Sequence, residues 1–405
     1  MKSIKRAIPQ IVFLLITTLL CMTYITEDVV RFQIVIFATL IGCYLIVPKQ
    51  KIEKRNMHLY VIMILFSVMY FMRALFDLEL FGVKQTLFGS NSTVFVFIFM
   101  GAVAQFVFIP RMKLEGKSFS WPFFFFSLLV LGSLYMSFRN IMSGNIVMTG
   151  DGRIQADERL GVIQYGHLGL TAVIMGIVMF MKRAESKLFM IISPLLLMVG
   201  LFSIVMAGTR SAMVGLFVIF FMIVATRLKP KMVIMASVVV AILLYFSTAI
   251  LSFTESLGAN SATRMLRFLS EGGDQSSGRL DLWIHALNKL MESPLFGVSC
   301  FIDSNEFVNY FLHNSFVEIA YSLGIFGFLM YLVVHKFAIS TCWRIFKTKN
   351  VDYMCFAMLY IQYLIYTCFS ESVMRLPEFW YFLAMVICIG FHYVPKKKQL
   401  SNINS

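Results

Sequence analysis

The stretch FLHNSFVEIAYSLGIFG, residues 311–327, begins with His313-Asn314-Ser315 and runs into an apolar segment fit for a lipid bilayer. An imidazole at the mouth of such a segment titrates near 6.5 when unperturbed, which suits a general base at neutral pH. Five residues further on, Glu318 falls about one turn inside the segment, where ionisable groups are costly and tend to be functional. A carboxylate there can orient the imidazole or accept its proton, although i to i+5 is not ideal helical spacing for direct contact. Of the six histidines, His58, His335 and His392 fall at the ends of apolar segments, His335 at the far end of this same one, and His167 lies inside one. His285 sits midway along an amphipathic helix and reads as structural. His313 is the candidate base.

Those residues must be positioned by membrane helices. The chain has 405 residues, 59% of them hydrophobic and 14% charged. A soluble protein of this size carries roughly 25% charge. Met1-Lys2-Ser3-Ile4-Lys5-Arg6 leads into a long apolar run with no small-residue cleavage site after it, so that run is expected to be a first membrane helix. The seven cysteines show no metal-ligand spacing, and only Cys300 falls in a loop on the outer face. They are expected to be small buried hydrophobes rather than a disulfide framework.

A membrane helix needs about 20 largely apolar residues. Spans are expected at 8–26, 29–48, 58–76, 93–110, 119–138, 162–181, 187–206, 211–227, 231–251, 316–335, 352–369 and 379–395. When these twelve alternate in direction, 23 of the 35 Lys and Arg residues fall in loops on one side, which the positive-inside rule makes cytoplasmic. Both termini are then cytoplasmic. The other face holds 12 basic residues: Arg31, Arg73, Lys84, Arg139, Arg153, Arg159, Arg210, Arg264, Arg267, Arg279, Lys289 and Arg375. Ten of these are Arg, against 6 of the 23 cytoplasmic ones. The rule counts Lys and Arg alike, so this contrast is independent of it. Arginine's planar fork suits phosphate and pyrophosphate, and the outer face reads as built to hold an anion.

Two outer loops are long: 139–161, polar and glycine-rich, and 252–312, too long for a plain connector. Within the second, Leu280, Trp283, Ile284, Leu287 and Met291 recur at helical spacing, which predicts an amphipathic helix stopped by Pro294 and lying on the membrane surface. Ser276 or Ser277 would cap it and place Arg279 in its first turn, where helix N–H groups also favour phosphate.

His313-Asn314, nine residues, then Gly324-x-x-Gly327 resembles the signature of the bacterial O-antigen ligase and O-antigen polymerase superfamily. AGTRSAMVG (207–215) resembles that family's arginine after a membrane span, and SGRLDLWIHALNKLMESPLFGVS (277–299) its large-loop arginine and Pro-Leu-Phe-Gly. The resemblance covers roughly residues 190–330. It implies an all-α integral membrane protein with a glycosyltransferase C-type fold, a large exoplasmic helical loop and a metal-independent glycosyltransferase activity that needs no cofactor. Its donor would be an undecaprenyl-pyrophosphate-linked oligosaccharide. Its acceptor would be a glycan or lipid A–core. His313 matches the family's base, and Arg210 and Arg279 match its pyrophosphate-binding arginines. Glu318, Asn314 and Arg159 are candidate supporting residues, and Gly324 with Gly327 is expected to permit close helix packing.

The expected organisation is N-terminal helices in 1–189, a ligase/polymerase-like core in 190–335 that includes the loop 252–312, and C-terminal helices with a basic tail in 336–405. The expected location is the bacterial inner membrane, with the site facing the periplasm. Membrane lipids and a chain-length regulator are further candidate partners, and no nucleic-acid partner is expected. The leading activity is repeat-unit polymerisation for O-antigen or capsule. Ligation of finished polymer to lipid A–core is the alternative, and a multipass lipid flippase or transporter the remote one.

Overall fold

The computed structural model describes residues 2–21, 29–83, 90–114, 118–143, 147–148, 154–155, 161–227, 279–302 and 311–393. Twelve helices order the described chain: α1 Lys2–Leu20, α2 Val29–Ile46, α3 Lys54–Leu75, α4 Asn91–Arg111, α5 Ser120–Met142, α6 Val162–Met181, α7 Lys187–Ala207, α8 Arg210–Arg227, α9 Arg279–Leu290, α10 Ser315–Lys347, α11 Val351–Phe369 and α12 Pro377–His392. A π-turn, Phe76–Leu80, extends α3, and a second, Phe99–Val103, interrupts α4. A small antiparallel hairpin, β1 Val147–Met148 with β2 Ile154–Gln155, sits in the loop after α5. The sequence reading had no strand there, although Asp151-Gly152 between them is a turn dipeptide.

Among the described residues, six helical segments are long and apolar enough to cross a membrane: 54–80, 91–111, 120–139, 162–181, 187–207 and 315–347. The protein is a multi-pass helical membrane protein. Helices also occupy the other expected spans except 231–251, which lies outside the described residues, and α1 begins and ends about six residues earlier than expected. α10 runs on to Lys347, past the expected end of its span at residue 335.

α11 lies outside the apolar set although its side chains are buried almost along its whole length. It carries four tyrosines and Gln362, which a lipid-facing helix could not satisfy. Packed among α6, α8, α10 and α12, it can: Gln362 Nε2 donates to the His167 carbonyl and to Thr171 Oγ1, both at 2.8 Å. The outer helices show the reverse, with Ile191, Met198, Phe217 and Phe221 more than 60% exposed. α6 and α7 pack most closely, backbone to backbone: a Cβ on Gly200 would lie 2.6 Å from the Gly169 carbonyl oxygen.

Loops assigned to one side of the membrane meet one another. Residues 48–50 bond to 111–113, and Tyr393 bonds to Gln50 and to the Leu114 N–H. Lys182, buried nearby, pairs with Asp352 at 2.8 Å and Glu185 at 3.0 Å. At the opposite end, the π-turn after α3, the turn 298–302, His313 and the loop 370–376 gather together. The candidate site is at that end.

Candidate active site

His313 is placed by an unusual backbone and a helix cap. Among the described residues it is the only non-glycine with positive φ, at +50°. That conformation costs roughly 1–2 kcal/mol and turns the side chain off the path of the following helix. Asn314 fixes the turn, because its Oδ1 accepts from the Phe316 N–H at 3.0 Å and the Val317 N–H at 3.2 Å. Such a cap contributes about 1 kcal/mol. Asn314 therefore supports the site by capping α10 and orienting its neighbour.

The imidazole is partly buried, with Nδ1 3.1 Å from the Ser370 carbonyl oxygen. A carbonyl only accepts, so this contact assigns the proton to Nδ1 and leaves the Nε2 lone pair to take another. Burial pulls the imidazole from 6.5 down to about 4, with the Arg279 guanidinium pushing the same way and the Ser370 carbonyl opposing. His313 is thus neutral at pH 7, as a base must be.

Its carbonyl partner belongs to the loop joining α11 to α12. Arg279 Nη1, at the first residue of α9, donates to the Phe369 carbonyl where α11 passes into that loop. Ser211, next to Arg210 at the start of α8, meets Ser370 Oγ at 3.0 Å, and His167 Nε2 backs Ser211 at 2.9 Å. Arg210 itself is exposed. Residues from α8, α9 and the start of α10, far apart in sequence, therefore converge on residues 369–370. Of this loop the sequence singles out only Arg375, as an outer-face cation; the polar run Ser370-Glu371-Ser372 between two apolar spans was the further signal available.

Glu318 does not reach the imidazole. Its Oε1 accepts from Ser372 Oγ at 2.7 Å and from the Tyr70 hydroxyl at 3.4 Å. From within α10 it ties the 370–376 loop to α3, which makes it a support of the loop that holds His313. Arg159 lies outside the described residues.

The Pro-Leu-Phe-Gly run and Gly324 turn out to be two halves of one contact. Gly324 sits inside α10 at φ +63°, ψ −163°, a region essentially restricted to glycine, and breaks the helix there. In an unbroken helix the Ile325 N–H would donate to the Tyr321 carbonyl. Here the Ile325 N–H donates to the Pro294 carbonyl at 2.8 Å, and the Tyr321 carbonyl accepts from the Val298 N–H at 2.6 Å. Residues 294–298 are thus inserted into the hydrogen-bond ladder of α10. A Cβ on Gly324 would lie 2.4 Å from the Leu295 carbonyl group, and one on Gly297 2.5 Å from the Ser322 backbone. The close packing expected at Gly324 is therefore against a loop rather than a second helix.

The same loop is clamped from α3. Asp77, buried in the π-turn, accepts from the Cys300 N–H at 2.6 Å and Ser299 Oγ at 3.3 Å, and pairs with Arg73 at 3.0 Å. Arg73 also donates to the Val298 carbonyl. By position Arg73 belongs with the outer-face arginines expected to favour an anion, but its guanidinium holds the turn after α9.

α9 follows the expected helix, but it ends at Leu290, before Pro294, and its apolar residues form two faces. Leu282 and Ala286 pack against Ile302, Leu312 and Tyr321. Leu280, Ile284, Leu287 and Met291 are exposed together. Helical spacing puts Trp283 in the surface stripe, yet its indole N–H donates to the Leu312 carbonyl at 2.6 Å, one residue from His313. Ser276 and Ser277 lie outside the described residues.

These features define a helical membrane protein with a histidine and arginines gathered at one end of the bundle. Residues 195–332 match the family model described as O-Antigen ligase. The matched segment runs from α7 into α10 and contains Arg210, Arg279 and His313. Over that segment the match supports the resemblance to the O-antigen ligase and polymerase superfamily that the motifs implied. No curated protein matches the chain.

Proposed function

We propose that this protein transfers a glycan from an undecaprenyl-pyrophosphate-linked donor to a sugar hydroxyl at the outer face of the inner membrane. The convergence of His313 and Arg279 on the loop at residues 369–370 carries the reading. In the reaction, His313 Nε2 takes the proton of the acceptor hydroxyl as its oxygen attacks the anomeric carbon. The bond from that carbon to the pyrophosphate oxygen breaks, and the lipid pyrophosphate leaves with the electron pair. Arg210 and Arg279 stabilise the charge that develops on it, the largest effect such sites exert. Both termini lie in the cytoplasm, and about twelve spans carry the chain across.

The product proposed is a growing repeat-unit polymer, because Phe328 follows Gly327 where ligase motifs commonly have Thr or Val. The description of the matched family favours ligation of finished polymer to lipid A–core as the second reading. A gel profile of surface and lipid-linked glycans separates them in a deletion strain complemented with wild type or His313→Ala. Single repeat units on the surface lipid, with no ladder, mark a polymerase. A full ladder retained on undecaprenyl pyrophosphate marks a ligase. An unchanged profile in the deletion strain rejects both.

A further inference from the structure

We propose that Arg375 is a third cation for the donor's pyrophosphate, held at rest by Glu371 and exchanged onto phosphate when the lipid binds. The inference rests on the transferase reading above and adds a residue to its site.

Arg375 ends the short 3-10 turn Val373–Arg375 on the same loop that receives His313 and Arg279. Its guanidinium stands 5.9 Å from the centre of the Phe311 ring, and that ring lies 4.2 Å from the imidazole of His313. The cation and the base thus share one aromatic wall. Cation and ring attract one another through the ring quadrupole, which holds the guanidinium beside the base.

The contact with Glu371 is loose. Arg375 Nη1 is 3.5 Å from Glu371 Oε1, beyond the 2.7–2.9 Å of a charge-assisted hydrogen bond. The Arg73–Asp77 pair at the same end of the bundle closes to 3.0 Å, adds a bond to a backbone carbonyl, and is much less exposed. Arg73 is built in. Arg375, with 38% of its side chain exposed, is available to exchange partners.

Glu371 can be left behind without stranding a charge. Its Oε1 also accepts from the Ser372 N–H at 3.1 Å. Burial raises this carboxyl above its usual range, against the pull of Arg375, so loss of the cation favours uptake of a proton from solvent. A dianionic pyrophosphate offers Arg375 a bidentate partner that a loosely placed carboxylate does not.

The test is binding of undecaprenyl pyrophosphate, without sugar, to purified protein in lipid nanodiscs. Arg375→Ala should weaken binding about 10- to 100-fold, the worth of one charged hydrogen-bonding group. Undecaprenyl monophosphate should lose less. Glu371→Gln, which releases Arg375, should bind the pyrophosphate several-fold tighter. Arg183→Ala, an exposed arginine at the opposite end of the bundle, should bind as wild type and controls for net charge. Thermal unfolding in the same nanodiscs shows whether each variant is folded. If Arg375→Ala does not fold, Arg375→Lys and Glu371→Gln decide. Wild-type affinity in Arg375→Ala or Arg375→Lys, or equal weakening in Glu371→Gln, overturns the exchange. No binding by the wild type overturns the transferase reading and the inference together.

Discussion

Acid should inactivate this protein much later than an ordinary histidine base allows. The perturbation is pH, and the group is His313, which burial lowers to about 4. Above that value the imidazole is neutral and competent, and below it protonation removes the Nε2 lone pair. At pH 5.5 a histidine with pKa 6.5 is only about 9% neutral, whereas one with pKa 4 is about 97% neutral. The account predicts a flat kcat/KM between pH 7 and 5.5, where an unperturbed base gives roughly a tenfold fall. Because kcat/KM reports the free enzyme and kcat the complex, the two profiles should differ. An anion brought within about 4–6 Å raises a histidine by 1–3 units, so the acid limb of kcat should lie above that of kcat/KM. The assay is transfer by purified protein from a defined lipid-linked oligosaccharide across pH 4–8, with His313→Ala as the profile without the limb. A kcat/KM limb centred near 6.5 would refute the reasoning, because it would mean an imidazole open to water rather than held against Ser370.

Three structural predictions follow from the contacts that present the site. Gly324→Ala should destabilise the protein by at least about 3 kcal/mol, from the glycine-only backbone region and the overlap with Leu295, read as a lowered unfolding temperature in detergent; an unchanged temperature would remove the proposed insertion of 294–298 into α10. Asp77→Asn should cost about 2–3 kcal/mol, since a charged acceptor of the Cys300 N–H and partner of Arg73 is lost; transfer should fall with it as α9 loosens, and a variant as stable as wild type contradicts the clamp. Glu318→Gln should lower kcat while leaving KM for the acceptor near its original value, because Glu318 acts through Ser372 and the loop; an unaltered kcat would deny it that part.

What the sequence displays and what it conceals divide along physical lines. A bilayer demands about 20 apolar residues per crossing, so most helices are visible as hydropathy alone. The cap at Asn314 is visible too, because the acceptor and the N–H groups it serves lie within three residues. Gly324 is different. Residues 316–335 read as one continuous span, and only the backbone of 294–298, separated by about 26 residues, reveals why the ladder opens there. Glu318 reads as a partner for His313 because both lie on one short stretch, yet its Oε1 accepts from Tyr70 and Ser372, which are distant in sequence. Arg73 looked like an anion ligand by residue type; its engagement depends on a π-turn that sets Asp77 beside it, and no periodicity foretells that turn.

The most direct test of the account is single-turnover transfer by purified His313→Ala protein, with a folded state verified by thermal unfolding and retained binding of the lipid-linked donor. A general base contributes typically 10²–10⁴-fold, so the account predicts a loss of that size in the transfer rate with donor affinity nearly unchanged. Turnover at the wild-type rate would show that the acceptor's proton leaves by another route and that His313 is not the base.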